Sequence, residues 1–477
     1  MGAKPKTIYL LIAITVMFSG CNVGPKYSRP QTPADTIAFV HAGKHIRDTN
    51  DFSQIGKWWQ RFGDPVTTEL VNRALENNYD LRAAAARVLQ ARAALAEATG
   101  RQLPEVSYNF ARSRGKTSFN FGGGRFSNLS TSFSQDISVA YILDLFGKLR
   151  HAERAAWADL LASKTNEDAL INSIIASVIK ARIDIATTQN ALQIARGTTE
   201  SRQKTLNIVE RRYAQGLVGP VDVRLARENL AAAKATATAL ELSLIKAHHA
   251  LDVLVARQPG SAEYLPDTLA DLPDLQPVPI GLPASLLDRR PDVQAAEFAL
   301  KSANEQIGVS IAQLYPDLTL SASYGRSADI FDDLFIHETE IYSALIGITQ
   351  PIFKGGQLRA RVEGSKARYE ELAANYANAV LAAIREVEDA LVSEQMLQEQ
   401  LKHVEKRFTE ANAAENLSTQ RYQRGVESIL TVLESERRRR LAENELALLK
   451  GRIWTTRVNL FLALGGDWTQ ESQIQTR

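Results

Sequence analysis

Two hydrophobic patterns alternate along the chain, and the pair recurs in the same order. From Asp80 to Gln102 the stretch RAAAARVLQARAALAEA sets Ala, Leu, Arg and Glu at helical spacing, which predicts a helix of about 20 residues stopped by Pro104. The period then drops to two. Val106, Tyr108 and Phe110 alternate with Ser107 and Asn109, as in a strand. Past Gly122-Gly123-Gly124 the alternation returns: Leu129, Thr131, Phe133, Ile137, Val139, Tyr141 and Leu143 share one face, and Ser130, Ser132, Ser134, Asp136 and Ser138 the other. A hairpin over residues 104–144 is expected, and a second over 316–351. There Leu318, Leu320, Ala322 and Tyr324 oppose Thr319, Ser321 and Ser323, and Tyr342, Ala344, Ile346 and Ile348 precede Pro351.

Behind each hairpin comes a long helical stretch. Leu149 to about Tyr213 has no proline and only Gly197 as a breaker, and Leu358 to about Tyr422 has only Gly364. A continuous helix of that length would reach roughly 100 Å, which suggests a coiled coil or helical tube. Past the turn glycines Gly216 and Gly425, return helices are predicted from Val221 to about Ala256 and from Ile429 to Leu464, making antiparallel hairpins.

The landmarks of the two halves keep their order. Asp80-Leu81 precedes Asp292-Val293, and Leu103-Pro104 precedes Tyr315-Pro316, by 212 residues; Gly147-Lys148-Leu149-Arg150 precedes Gly356-Gln357-Leu358-Arg359, and Arg212-Tyr213 precedes Arg421-Tyr422, by 209. Four such pairs in sequence argue for duplication. The chain therefore divides into an N-terminal segment 1–20, a segment 21–78, a first repeat 79–258, a Pro-rich linker 259–290, a second repeat 291–466 and a tail 467–477. Seven prolines from Pro259 to Pro291 mark the linker as extended.

A strand tilted about 45° crosses a bilayer in roughly 9 to 11 residues, and each alternating segment is about that long or a little longer. The same segments would also serve as a soluble sheet packed on one face. If they cross a membrane, four strands cannot close a barrel, and open edges are not tolerated in lipid. Several chains must then share one barrel. Three chains would supply 12 strands, enough for an aqueous lumen, with their long hairpins forming a tube.

Composition narrows the chemistry. The 56 basic and 54 acidic residues leave a formal charge of +2, no field for a nucleic-acid backbone. Seven scattered histidines contain no HExxH or Cys/His metal spacing, and three methionines give no soft-metal path. The one cysteine excludes an intrachain disulfide and stands at a telling place. Lys4 and Lys6 precede an apolar run from Ile8 to Phe18, too short to span a bilayer as a helix, and Phe18-Ser19-Gly20-Cys21 follows. This resembles a bacterial lipobox, in which Cys21 is lipidated and becomes the N-terminus. The alternative is an ordinary signal peptide beside an unrelated cysteine. Acyl chains at roughly 0.8 kcal/mol per buried methylene would hold the protein to a membrane. By resemblance to lipoproteins, Asn22 after Cys21 favours the outer membrane.

More specific residues carry a family resemblance. They are Gly24-Pro25-Lys26-Tyr27-Ser28-Arg29-Pro30, Trp58-Trp59-Gln60-Arg61-Phe62, Asn77-Asn78-Tyr79-Asp80-Leu81, Asp144-Leu145-Phe146-Gly147-Lys148, Leu287-Asp288-Arg289-Arg290-Pro291-Asp292-Val293, Pro351-Ile352-Phe353-Lys354-Gly355-Gly356 and Ala463-Leu464-Gly465-Gly466-Asp467-Trp468. Together they resemble the outer-membrane efflux channel family, in its lipidated members that serve multidrug or metal exporters. The resemblance implies a mixed α/β membrane protein, internally duplicated: a homotrimeric 12-stranded transmembrane β-barrel continuous with a 12-helix periplasmic α-barrel, and an equatorial belt drawing on Trp58 to Asn77 and the linker. It implies passive, gated export without catalytic residues, cofactor or metal. The implied partners are two further copies, a periplasmic adaptor, an inner-membrane efflux transporter, outer-membrane lipid and small-molecule substrates, with no nucleic acid.

For the closed tip, the resemblance implies a latch in which an aspartate after the first turn meets a tyrosine and an arginine at the second. The matching positions are Asp222, Tyr422 and Glu427, so an acid stands where the arginine would be, with Arg424 or Arg421 as substitutes. The family's acidic ring falls on Thr431 and Glu434, and three copies of Glu434 would form a cation-binding ring. Glu434 is equally readable as a solvated helix face beside Arg437-Arg438-Arg439-Arg440, a run neutralised by its surrounding glutamates, including Glu436 to Arg440 at i,i+4. His248-His249 reads as a helix-surface or interface pair, and Gly122-Gly123-Gly124 as a hairpin tip, since no phosphate-loop context surrounds it. Two other classes compete with the duct: a lipid-anchored periplasmic coiled-coil adaptor or scaffold, and an enzyme. The first should lack two duplicated amphipathic hairpins, and the second needs a convergent catalytic set that the sequence does not display.

Overall fold

Helix lengths repeat between the two halves of the chain. The computed structural model describes residues 22–31, 57–261, 265, 268 and 289–466. The predicted leader, Cys21, most of the linker and the tail lie outside them. After a 3-10 turn at Trp58–Phe62 come α1 (Pro65–Asn77), α2 (Tyr79–Gly100), β1 (Glu105–Phe121), β2 (Gly124–Leu143), α3 (Lys148–Ala214) and α4 (Pro220–Leu254). The second half follows with α5 (Pro291–Ala312), β3 (Asp317–Ala328), β4 (Glu340–Thr349), α6 (Gln357–Gln423) and α7 (Ile429–Ala463). Helices α2 and α5 each have 22 residues, α3 and α6 each 67, and α4 and α7 each 35. Only the hairpins differ, and the three-residue drift between the halves falls there.

The described residues form two units, one holding residues 22–30 with Arg87–Lys164 and Ala295–Ala377, the other the remaining described segments. In the first unit the strands make one antiparallel sheet in the order β1-β2-β3-β4, so among the described residues β1 and β4 are its free edges. Register aligns apolar rows across it. Val106, Val139, Ala322 and Ala344 form one row; Tyr108, Ile137, Tyr324 and Tyr342 form the next. Leu320 with Ile346 and Leu318 with Ile348 extend the same face, and Tyr342, Ile346 and Ile348 are 84%, 73% and 72% exposed. On the opposite face Ser107, Ser138, Ser323 and Ser343 line up, joined pairwise at 2.7 and 2.8 Å. Ile341 and Leu345 interrupt that polar face on β4. Strands β1 and β2, at 17 and 20 residues, are longer than the alternation predicts. Beyond Phe110 the shared face turns to Arg112, Arg114 and Lys116, and the ladder continues because backbone pairing does not need apolar side chains.

Residues 22–30 strap onto the same unit. Asn304 donates to the Pro25 carbonyl at 3.1 Å, Arg29 Nε to the Tyr376 hydroxyl at 2.6 Å, and Tyr27 to Glu297 at 3.3 Å. Buried His151 bridges Glu305 and the Val23 carbonyl. Its ring lies on Gly308, where a Cβ would come within 2.6 Å, so the position requires glycine.

In the second unit the main core gathers Trp58, Trp59 and Phe62 with Val71, Ile175, Ile179, Leu251, Trp454 and Phe461. Trp58 stacks on Phe461 and Phe62 on Trp454, each at 5.4 Å. Asp64 caps α1 by accepting from the N–H groups of Val66 and Thr67, and pairs with Arg182 at 3.6 Å inside the core. The apolar side chains of the segment Trp58 to Asn77 are thus buried against α3, α4 and α7. Among the described residues no helix is long and apolar enough to cross a membrane.

Candidate functional site

Both long helices end alike. At the end of α3 the N–H of Leu217 bonds the Arg212 carbonyl at 3.0 Å and that of Gly216 bonds Tyr213 at 2.9 Å; at the end of α6 Val426 bonds Arg421 at 3.1 Å and Gly425 bonds Tyr422 at 3.0 Å. These are Schellman motifs, and each needs a left-handed residue at its pivot. Gly216 (φ 71°) and Gly425 (φ 78°) supply it. Pro220 then opens α4 at a position where no N–H is needed, and Ser428 caps α7 by accepting from Thr431 N–H at 3.3 Å.

Side chains at the two turns go different ways. Glu427 accepts from the Ser428 N–H at 3.2 Å and the Thr431 hydroxyl at 3.0 Å, and pairs with Arg421 at 3.3 Å. Those contacts, the Ser428 N–H first, hold its carboxyl below the usual range. The acid that replaces the expected arginine is therefore a local cap for α7. Arg421 serves as its cation, while Arg424 lies exposed, its N–H bonded to the Gln420 carbonyl. Asp222, half-buried, sits in the first turn of α4, where its charge complements the helix dipole. Tyr422 is 5% exposed, packed among Leu206, Val209, Val223, Leu230 and Ile429. Its hydroxyl is buried without a hydrogen bond, so no such bond joins it to Asp222.

Glu434 faces two cations of its own helix. Arg437 Nε donates at 2.8 Å and Arg438 Nε at 2.7 Å, and their hydrogen bonds, Arg437 first, hold the carboxyl down at about 2. One carboxylate against two guanidiniums leaves the trio at +1 within the chain. The basic run does not read as one face. Arg439 crosses to Glu415 of α6 and also pairs with Glu443, as Arg440 does at 3.2 Å. Glu436 has as its close partner not Arg440, the expected i,i+4 cation, but Arg202 of α3 at 2.5 Å, both nearly fully buried, and accepts from Ser201 at 3.1 Å. Burial raises its pKa. His248, of the pair read as helix-surface or interface, is buried at 7% exposure, and burial lowers its pKa.

Among the described residues no group of His, Cys, Asp and Glu could hold a metal ion. The site consists of turns and ties. A family profile described as "Outer membrane efflux protein" matches residues 70–257 and again 282–466, one match on each repeat. The chain belongs to this family of outer membrane efflux proteins. Its members are channels, which make and break no bond. Among relatives, the toluene efflux pump outer membrane protein TtgF of Pseudomonas putida is 31% identical over 470 residues, covering 97% of each chain. The pyoverdine export outer membrane protein OpmQ of Pseudomonas aeruginosa is 33% identical, over 89% of this chain and 90% of its own. Solved structures of the outer-membrane channel OprN and of the open state of the Neisseria gonorrhoeae MtrE outer membrane channel superpose with TM-scores of 0.86 and 0.82. They are 29% and 28% identical, cover 94% and 95% of this chain, and are themselves covered in full.

Within this efflux-protein fold, sequence reasoning missed three groups. Arg212 is legible in sequence only as half of a repeated Arg-Tyr pair. Buried Arg202 and half-buried Glu415 carry no pattern distinguishing them from other helix charges. Arg290, in the Arg-Arg-Pro-Asp motif, is buried and donates to Asp292 at 2.7 Å, Glu386 at 2.7 Å and the Ala463 carbonyl at 2.9 Å, tying the start of α5 to α6 and α7.

Proposed function

We propose that three copies of this chain form a lipid-anchored outer-membrane efflux duct. Their sheets close a 12-stranded barrel, and their long hairpins line a 12-helix periplasmic tube. The observation that carries this reading is the sheet: two free edges and exposed apolar rows on one face, with serines across the other. A barrel closed by further copies pairs those edges and turns the apolar rows to lipid. The row of Tyr108, Tyr324 and Tyr342 then lies at interfacial depth. A periplasmic coiled-coil scaffold leaves the rows without a role.

Segments 1–20 and 21–78 act as leader and anchored arm with Cys21 acylated, 79–258 and 291–466 as the two repeats, 259–290 as the belt linker and 467–477 as the tail. Small organic compounds pass outward, driven by an inner-membrane transporter joined through a periplasmic adaptor. The narrow point lies at the turns of Gly216 and Gly425, with Asp222, Tyr422, Arg424, Glu427, Thr431 and Glu434 around it. The full-length protein is expected to fractionate with outer membranes and incorporate labelled palmitate, and C21A to lose the label. Recovery of the wild-type protein as an unlabelled soluble species would sink this reading.

A further inference from the structure

The guanidinium of Arg212 leaves its own turn. It lies 4.6 Å from the centroid of the Tyr422 ring, and its Nη1 donates to the Tyr422 carbonyl at 3.4 Å. That carbonyl also accepts the Gly425 N–H, so the arginine of the first Schellman turn grips the backbone of the second. It is one of the last carbonyls of α6, where a cation complements the helix dipole. The tyrosine is engaged by its face; its hydroxyl is closed off by the chain's own side chains. Duplication supplies a second candidate, Arg421, but that cation is held by Glu427. Tyr213, the repeat mate of Tyr422, is 48% exposed and has no matching enclosure.

We propose that Arg212 is the positioning residue of the tip, clasping the two hairpin turns through the face of Tyr422, so that the resting aperture depends on cation and ring and not on the tyrosine hydroxyl. This rests on the duct reading above. It differs from the latch implied by family resemblance, in which the tyrosine meets an aspartate at the first-half turn.

The test uses the full-length lipidated protein in planar bilayers. Absence of channels from the wild type would count against the duct itself, a result separate from the clasp. Given channels, R212M keeps the aliphatic stem but loses the charge, and is expected to raise open probability by a factor of about 2 to 5, the weight of one partly exposed cation–ring contact. R212K, which keeps a cation, falls between R212M and wild type. Y422F leaves the wild-type behaviour, and Y422L reproduces R212M. The clasp is overturned by an R212M channel that behaves as wild type, by R212K as open as R212M, or by Y422F as open as Y422L.

Discussion

The return helices α4 and α7 occupy the same place in the two repeats and have the same length, 35 residues, yet they are buried differently. Nine residues of α4 are buried against fifteen of α7, because α7 packs on both long helices of the second unit. It reaches α3 through Glu436 to Arg202, and at Gly451, where a Cβ would meet Thr187 Oγ1 at 2.4 Å. It reaches α6 through Arg439 to Glu415 and through the buried contact of Ser435 with Ser418 at 2.5 Å. Helix α4 is tied to α3 by exposed pairs, Arg227 to Glu210 at 2.7 Å and Arg196 to Glu241 at 3.3 Å. Duplication copied helix lengths and turn geometry. Which charges became structural was decided afterwards, by what each copy had to pack against.

That contrast can be broken most directly at the charges. Removing one partner of a buried pair strands the other, so R202M is expected to lower stability by about 3 kcal/mol. R227M, at an exposed pair, should cost less than about 1 kcal/mol. Thermal unfolding of the detergent-solubilised protein measures both, and equal losses would erase the distinction between the two helices.

A smaller effect sharpens the comparison near the turns. The Glu434 carboxyl is held at about 2 by Arg437 and Arg438, below its ordinary 4.5. A carboxyl depressed in this way contributes stability above the unfolded value, lost as pH falls through the folded one. Glu434 should therefore stay ionised from neutral pH down through 4.5, and E434Q should leave divalent-cation block of the channel unchanged, since the trio is already net positive. Block that disappears in E434Q would restore the acidic ring.

Much of the scaffold is legible in sequence for identifiable reasons. Long runs of Ala, Leu and charged residues fix α3 and α6 because neither holds a proline and the one glycine in each, Gly197 or Gly364, does not end the helix, and Gly216 and Gly425 mark their ends because only glycine takes the left-handed pivot at low cost. The edges of β1 and β2 are less legible, since alternation reports a face and not the length of a ladder. Side-chain partners are least legible. Glu436 and Arg440 satisfy an i,i+4 rule, yet the close partner of Glu436 is Arg202 on another helix, and only the packing of α4 decides that His248 is an interior residue and not a surface one. Arg212 and Arg421 precede the same tyrosine in both repeats, so no local pattern tells which one reaches across.

The central claim is that one chain is an incomplete conduit, its described residues forming four strands with two free edges that further copies would pair. Native mass measurement of the full-length protein extracted from outer membranes in mild detergent tests it most directly. The account predicts a species of three chains whose insertion into a planar bilayer gives discrete conductance steps. A monodisperse single-chain species that carries the same conductance would contradict it.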